Sequence, residues 1–200
     1  MPRRSTCASL GLAAAIAAWA FIGAAWLLNR GWFVFTRDAF SDLGGPRSCC
    51  PWLFNYGLIA TGALVVAFGA CLAHAAQSKL EAIGASHIAL AGVFLALIGV
   101  FPETTQPHLF VSAWFFLQMD AALLITSLAA WRETRSRAAL TALLATILAY
   151  PVAGLIEMAK GWPSAATLEA YGILVIDLAV ACLWYTYHAA EREKLGKRTP

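Results

Sequence analysis

Six long apolar runs, separated by short polar connections, constrain this chain more than any other feature. They cover about residues 8–28, 52–74, 84–101, 108–131, 138–158 and 167–188. A helix needs about 20 mostly apolar residues to cross the roughly 30 Å of hydrocarbon in a bilayer. The pattern therefore predicts an all-α integral membrane bundle of six transmembrane helices, with residues 1–200 forming a single membrane domain surrounded by the lipid bilayer.

Charged side chains are too few for a water-soluble fold. Only 12% of the 200 residues are Asp, Glu, Lys or Arg, against roughly 25% in an ordinary soluble domain. The spans and their connections use the whole length, so any function must lie within the bundle or its loops. The net charge of +3 is carried near the span ends and indicates no nucleic-acid partner. No feature predicts an oligomeric state.

The distribution of Lys and Arg predicts the orientation of the chain in the cell membrane. Cytoplasmic loops are enriched in these residues, and placing both termini in the cytoplasm puts most of the 14 on that side. The cytoplasmic set is Arg3, Arg4, Lys79, Arg132, Arg135, Arg137, Arg192, Lys194, Lys197 and Arg198. The first span is predicted to be retained, because its apolar run from Leu10 to Leu28 exceeds the roughly 7–15 residues of a signal-peptide core.

A polar corner interrupts the apolar pattern between the third and fourth spans. Pro102 and Pro107 disfavour helix in the residues before them and predict a fixed turn that holds Glu103 near His108. His108 and Ser112 are four residues apart at the start of the next helix and therefore share one face. Spanning a bilayer requires neither the acid nor the imidazole, so this corner is a candidate functional site.

Under the predicted topology, polar residues from the first loop and several helices reach the same outer face. The candidate binding residues are Asp42, Asn55, Glu103, His108, Ser112 and Glu157, with Glu169 at a similar depth. Ionisable groups at membrane depth usually face a cavity or one another, so we expect four of these side chains to converge: Asp42, Glu103, His108 and Glu157. The cluster predicts a pocket for a small amphiphile, a lipid headgroup or a cation. A set of ordinary interface residues facing water is the alternative.

Two other functions stay open. Asp120 and Asp177 fall near mid-bilayer, where carboxylates are costly and mark ion or proton paths, which predicts a proton-coupled transporter; polar contacts between helices would explain them equally well. His108 as a general base predicts a lipid-modifying membrane enzyme.

Cofactors and metals are not indicated by any motif. Phosphate-binding loops, Gly-x-Ser-x-Gly and His-Glu-x-x-His are missing from the sequence, so the cofactor, if any, is unknown. Cys71 and His74 lack the short paired spacing of zinc sites, and we predict no metal there. Cys49 and Cys50 fall on the outer side, where adjacent cysteines bridge only with strain, and an intermolecular disulfide or two free thiols are equally compatible with the sequence.

Five short motifs occur in an order that resembles a known family. They are Phe40-Ser-Asp-Leu-Gly44, Leu53-Phe-Asn-Tyr-Gly-Leu58, Gly99-Val-Phe-Pro-Glu103, His108 with Ser112 and Phe115-Phe116, and Leu155-Ile-Glu157. Together they resemble the multi-pass membrane proteins grouped as domain of unknown function number 998. The resemblance implies a six-helix membrane protein without a settled activity. Its matching positions are Ser41, Asp42, Gly44, Asn55, Gly57, Pro102, Glu103, His108, Ser112 and Glu157.

Overall fold

The computed structural model describes residues 2–196; Lys197 and Arg198, assigned above to the cytoplasmic side, lie outside the described residues. Within that range the structure is helical and contains no strand. Its elements are α1 (Arg4–Asn29), a short 3-10 helix (Phe40–Gly44), α2 (Pro51–Ala75), α3 (Lys79–Val100), α4 (Pro107–Thr134), α5 (Arg137–Lys160) and α6 (Ala165–Gly196). All six α-helices are long and apolar enough to cross a membrane. The prediction of an all-α bundle with six membrane-spanning helices is confirmed.

Local sequence signals explain where the helices begin and end. Pro51 and Pro107 occupy first-turn positions, where the missing proline N–H leaves no intrahelical bond unmade. The Ser78 and Ser136 hydroxyls accept hydrogen bonds from the backbone N–H groups of the residues three positions further on, at 3.1 and 3.0 Å, as N-caps do. α3 ends at Val100, just before the predicted end at 101, because Pro102 favours extended backbone in the preceding residue.

The helices pack in an order that leaves one of them less enclosed. α2 lies between α1 and α3, α4 follows α3, and α6 closes the bundle by packing on α1 and α4. α5 packs on α4 and α6 at the periphery. This arrangement leaves space on the side of the bundle formed by α4, α5 and α6.

Glycines let α2 and α3 approach closely. A Cβ added at Gly69 would lie 2.3 Å from the Ala89 nitrogen, and one added at Gly92 would lie 2.6 Å from the Val66 nitrogen. These separations are shorter than any normal contact. At Gly69 and Gly92 there is therefore no room for a side chain between the two helix backbones. Small residues at helix interfaces commonly allow such an approach in membrane proteins.

A disulfide joins α1 to α2 near their ends remote from the 3-10 helix. Cys7 and Cys71 form this bond, with Cα atoms 5.4 Å apart, and Cys7 is fully buried. The sequence had suggested no partner for Cys7. Cys49, Cys50 and Cys182 are free thiols.

The connection between α1 and α2, residues 30–50, folds over one end of the bundle, and we call it the roof. Its 3-10 helix is buried through Phe40 and Leu43. Phe40 packs against Trp19 of α1 with ring centroids 6.3 Å apart and against Phe33 at 6.2 Å. The roof is thus an ordered part of the core, and its aromatic residues hold it on the helices.

Candidate functional site

The first candidate residue, Asp42, holds the 3-10 helix of the roof in shape. Its Oδ2 accepts a hydrogen bond from the Ala39 N–H at 2.8 Å. Asn55 of α2 donates from Nδ2 to the Gly44 carbonyl at 3.0 Å. A Cβ on Gly44 would lie 2.2 Å from Asn55 Oδ1, so glycine is required for this contact. Asp42 therefore keeps the 3-10 helix in shape, and Asn55 fastens the roof to α2.

Glu103, from the turn between α3 and α4, meets the roof from the other side. Its Oε2 lies so close to Gly45 that an added Cβ would be only 2.8 Å away. Burial raises the pKa of Glu103 above its usual value, and a hydrogen bond with the Asp42 side chain raises it further, while Arg47 acts in the opposite direction. The structure thus brings Asp42, Asn55 and Glu103 together around one end of the 3-10 helix.

A second set of contacts joins the roof to α6. Asp38 accepts a hydrogen bond from the Val34 N–H at 2.7 Å, and its own carbonyl accepts one from the Ala166 N–H at 3.1 Å. The hydrogen bond from Arg37 lowers the pKa of the Asp38 carboxyl. Ser164 donates from Oγ to the Phe35 carbonyl at 2.6 Å. The roof is therefore hydrogen-bonded both to α2 and to the residues at the start of α6.

His108 and Ser112 form a separate pair on α4. His108 Nδ1 lies 2.8 Å from the Phe101 carbonyl oxygen, and its Nε2 lies 3.5 Å from Ser112 Oγ. Because a carbonyl can only accept, the Nδ1 atom carries the proton of this bond. In the neutral imidazole, Nε2 is then free to accept from the Ser112 hydroxyl.

Glu157 does not join the other candidate residues. It is exposed near the end of α5, and its Oε2 accepts a hydrogen bond from the Trp162 N–H at 3.2 Å. α5 lies at the periphery against α4 and α6, which separates Glu157 from the roof contacts of Asp42 and Glu103. The expected convergence of four side chains is thus limited to Asp42 and Glu103, because helix order rather than depth decides which side chains meet.

A central cavity of about 110 Å³ lies under the roof, between α1, α2, α3, α4 and α6. Phe40 and Ser41 of the roof line it, and its lining also includes Gly11 of α1 and Val180 of α6. Most of its walls are apolar. Its polar lining residues are Ser41, Thr61, Ser112, Glu169 and Asp177.

A larger cavity of about 780 Å³ lies between α4, α5 and α6, and we call it the lateral cavity. Three of its lining residues, Leu117, Tyr150 and Leu168, keep exposures of 46%, 46% and 43%. The cavity therefore reaches the outer surface of the bundle, the side that faces lipid. Its polar lining residues are Asp120, Tyr150, Glu157, Trp162, Ser164, Glu169 and Tyr171.

The two mid-span aspartates line different cavities. Asp177 lines the central cavity and accepts a hydrogen bond from Trp19 Nε1 at 2.7 Å. Asp120 lines the lateral cavity and forms no hydrogen bond or ion pair with any residue that the structure describes. Phe116, Glu169 and Ile176 line both cavities and stand in the wall between them.

A buried charge cluster at the opposite end of the bundle was missed by the sequence reading. Arg4 of α1 donates from Nη1 to Glu81 of α3 at 3.3 Å and from Nη2 to Glu133 of α4 at 2.7 Å. The Tyr187 ring of α6 lies 5.0 Å from the guanidinium carbon. Arg4 was read only as a topology signal, and its near-terminal position gave no hint of burial. The sequence signal that could have indicated this cluster is the presence of Glu81 and Glu133 near the ends of two other helices.

The fold and these cavities define a multi-pass helical membrane protein. The family described as protein of unknown function (DUF998) matches residues 12–185, and the chain belongs to that family. The resemblance drawn from the five motifs is thereby confirmed. No curated protein and no solved structure matches the chain.

Proposed function

We propose that the protein binds a small amphiphile from the bilayer, with the lateral cavity as its binding site. The observation that carries this proposal is the cavity of about 780 Å³ that reaches the lipid-facing surface between α4, α5 and α6. Ligand pockets commonly measure about 300–1,000 Å³ and combine apolar walls with a few polar groups. This cavity has that composition and lies where an amphiphile can enter from the membrane.

The polar groups are distributed as an amphiphile would require. Glu157 near the end of α5 and Glu169 near the start of α6 lie at the roof end of the cavity, where a headgroup can remain close to the membrane interface. Leu117 of α4 and Val175 of α6 offer apolar surface for a chain deeper in the bundle. Of the six residues predicted from sequence, Glu157 belongs to this site. Asp42, Asn55 and Glu103 act indirectly by holding the roof.

Native mass spectrometry of the protein released from lipid nanodiscs tests this function. Gly154 lines the cavity, and a Cβ added there meets no atom within 4 Å, so Gly154→Trp places an indole in open space. Gly23 of α1 has equally open surroundings and does not line the cavity, which makes Gly23→Trp the matched control. We expect a retained amphiphile in the wild type and in Gly23→Trp, and its loss in Gly154→Trp. Equal retention in all three would reject the proposed site.

A second candidate function, acyl transfer, is favoured by the His108–Ser112 pair. Hydroxyls inside these helices commonly donate to the carbonyl four residues earlier, as Ser86 and Thr126 do at 2.8 Å. Ser112 instead faces His108 Nε2 and lines the central cavity. Hydrogen bonds between a nucleophile and its base are often long before substrate binds.

The chemistry of this candidate is hydrolysis of a lipid ester. Ser112 Oγ attacks the ester carbonyl carbon while its proton passes to His108 Nε2, and that proton then goes to the departing alcohol. Water next attacks the acyl-serine, and the fatty acid leaves as Ser112 regains its proton. A fluorophosphonate probe should label Ser112 in the wild type and label neither Ser112→Ala nor His108→Gln. Labelling of Ser112→Ala equal to wild type would remove this candidate.

The transporter alternative has less geometric support. Asp120 and Asp177 line separate cavities, and Phe116, Glu169 and Ile176 form the wall that a path between them would have to pass. Proton coupling through these two aspartates remains a prediction that needs a flux measurement in liposomes.

The orientation and location are proposed from the positive-inside rule. We place the single membrane domain in the cell membrane with both termini in the cytoplasm and the roof outside. Cys49 of the roof is an exposed free thiol, so a membrane-impermeant maleimide should label it in intact cells, with Cys49→Ser as the control. Cys7 is buried in a disulfide and should stay unlabelled in either orientation. Labelling of Cys49 only after lysis would invert the topology.

A further inference from the structure

Within residues 2–196, the lateral cavity is lined by acidic side chains and by no basic ones. Three of them are acidic: Asp120, Glu157 and Glu169. None of the lining residues that the structure describes is Lys, Arg or His. A ligand that carries a negative group would therefore meet repulsion with no compensating partner, whereas a cation would meet attraction that the apolar walls strengthen.

The three carboxylates differ in whether they have hydrogen-bond partners. Glu157 accepts from the Trp162 N–H at 3.2 Å, and Glu169 accepts from the Phe40 N–H at 2.8 Å. Asp120 has no hydrogen-bond or ion-pair partner among the described residues, although it lies more than three turns into α4. A polar group at such depth is costly without a partner, and a cation bound in the same cavity would reduce that cost through the low dielectric of the apolar walls.

Aromatic rings stand beside these carboxylates. Trp162 and Tyr171 both line the cavity, with ring centroids 5.3 Å apart. Each ring is held by its polar atom: Tyr171 donates to the Ala149 carbonyl at 2.8 Å, and Trp162 donates to the Ala153 carbonyl at 3.3 Å. Aromatic rings together with carboxylates are the side chains that recognise quaternary ammonium groups.

We infer that the amphiphile bound in the lateral cavity carries a cationic ammonium headgroup and no anionic group. This inference rests on the proposed function and adds the charge of the ligand to it. The ammonium group lies at the roof end of the cavity, beside Glu157 and the Trp162–Tyr171 pair, and the alkyl chain follows the apolar walls of α4 and α6 toward Asp120. Lipids with a phosphate or a carboxylate are disfavoured by the same carboxylates.

The test compares ligands that share a dodecyl chain and differ in headgroup charge. Thermal unfolding in nanodiscs is followed with dodecyltrimethylammonium and dodecanoate, each below its micellar concentration, and with dodecanol below its solubility limit. We expect dodecyltrimethylammonium to raise the unfolding temperature saturably, and the other two to raise it less or not at all. Glu157→Gln, at an exposed position that tolerates change, should weaken the effect of the cation about tenfold, which corresponds to about 1.4 kcal/mol. Asp120→Asn, deeper in the cavity, should weaken it in the same direction but less, while Glu191→Gln, which lies outside the cavity beside Arg3, should not.

The outcomes separate the inference from the function on which it rests. Equal stabilisation by dodecanol and dodecyltrimethylammonium, lost in Gly154→Trp, would overturn the cationic headgroup and leave amphiphile binding intact. Preference for dodecanoate would overturn it as well. Stabilisation by none of the three, or equal stabilisation in Gly154→Trp, would count against both the inference and the proposed site.

Discussion

Glu169 of α6 accepts a hydrogen bond on Oε2 from the backbone N–H of Phe40, at 2.8 Å. Phe40 begins the 3-10 helix of the roof, and Glu169 lines both the central and the lateral cavity. A single carboxylate therefore connects the element that covers the bundle with the wall between its two cavities. Because buried backbone N–H groups need partners, this bond links the position of the roof to the shape of both cavities.

The first prediction concerns this bond. Glu169→Ala removes the acceptor and leaves the Phe40 N–H without its partner, which costs about 1–3 kcal/mol when the group is buried. We expect faster amide hydrogen exchange in the roof, residues 30–50. Glu169→Gln keeps a side-chain oxygen that can accept and should exchange like the wild type. Unchanged exchange in Glu169→Ala would show that the roof does not depend on this bond.

The second prediction is a pH dependence of the roof. Burial and the hydrogen bond with Asp42 raise the pKa of Glu103 above 4.5, its ordinary value. A raised pKa means that the protonated acid is favoured in the folded protein. The stabilisation that Glu103 gives the folded roof is therefore complete below about pH 4.5 and is lost as pH rises through the folded pKa. Roof amides, corrected for intrinsic exchange, should therefore become less protected as pH increases from 4.5.

The control for this effect is Glu103→Gln, whose amide can still donate to Asp42 without titrating. Its roof protection should change less with pH than that of the wild type. Measurement above pH 4.5 also avoids the titration of Asp38. The pKa of Asp38 is lowered, so the stabilisation that its carboxylate gives the roof is lost only as pH falls through that lower pKa. Protection that increases with pH, or an identical profile in both proteins, would contradict the assignment of Glu103.

Periodicity and proline chemistry were enough to predict the helices, but not their neighbours. Runs of apolar residues fix six spans because the bilayer sets their length, and Pro102 and Pro107 fix the corner between α3 and α4. Nothing in a span records which helix lies beside it. Glu157 was therefore expected beside Asp42, although α5 packs away from the roof. Cys7 and Cys71, 64 positions apart, show the same limit.

The candidate site was predictable only in part for a related reason. Asp42, Asn55 and Glu103 were found because they lie close to helix ends at one depth, and the structure brings them together. Their bonds nevertheless hold the roof, while the lateral cavity is made by the peripheral position of α5. Empty space between helices has no sequence signal, so Tyr150, Trp162 and Tyr171 could not be assigned to a cavity in advance.

The third prediction concerns the buried charge cluster. Arg4→Met would leave Glu81, whose side chain is 2% exposed, without its cation, and breaking a buried ion pair in this way costs about 3–5 kcal/mol. Thermal unfolding in detergent should show a clear decrease in stability. Arg3→Met is the matched control, because Arg3 is 68% exposed and lies 3.9 Å from Glu191, and exposed pairs contribute about 0–1 kcal/mol. Equal effects of the two substitutions would show that the cluster is not a stabilising element.

The most direct test of the central claim is residue-resolved photo-crosslinking with an amphiphile that carries a diazirine in its alkyl chain. If the lateral cavity binds the chain, the crosslinks in nanodiscs should concentrate on Leu117 and Val175, saturate with concentration, and disappear in Gly154→Trp but not in Gly23→Trp. Ile16 and Leu27 of α1, which are 71% and 70% exposed, report ordinary contact with lipid. Crosslinks distributed equally over Ile16, Leu27, Leu117 and Val175, and unchanged in Gly154→Trp, would contradict a binding site between α4, α5 and α6.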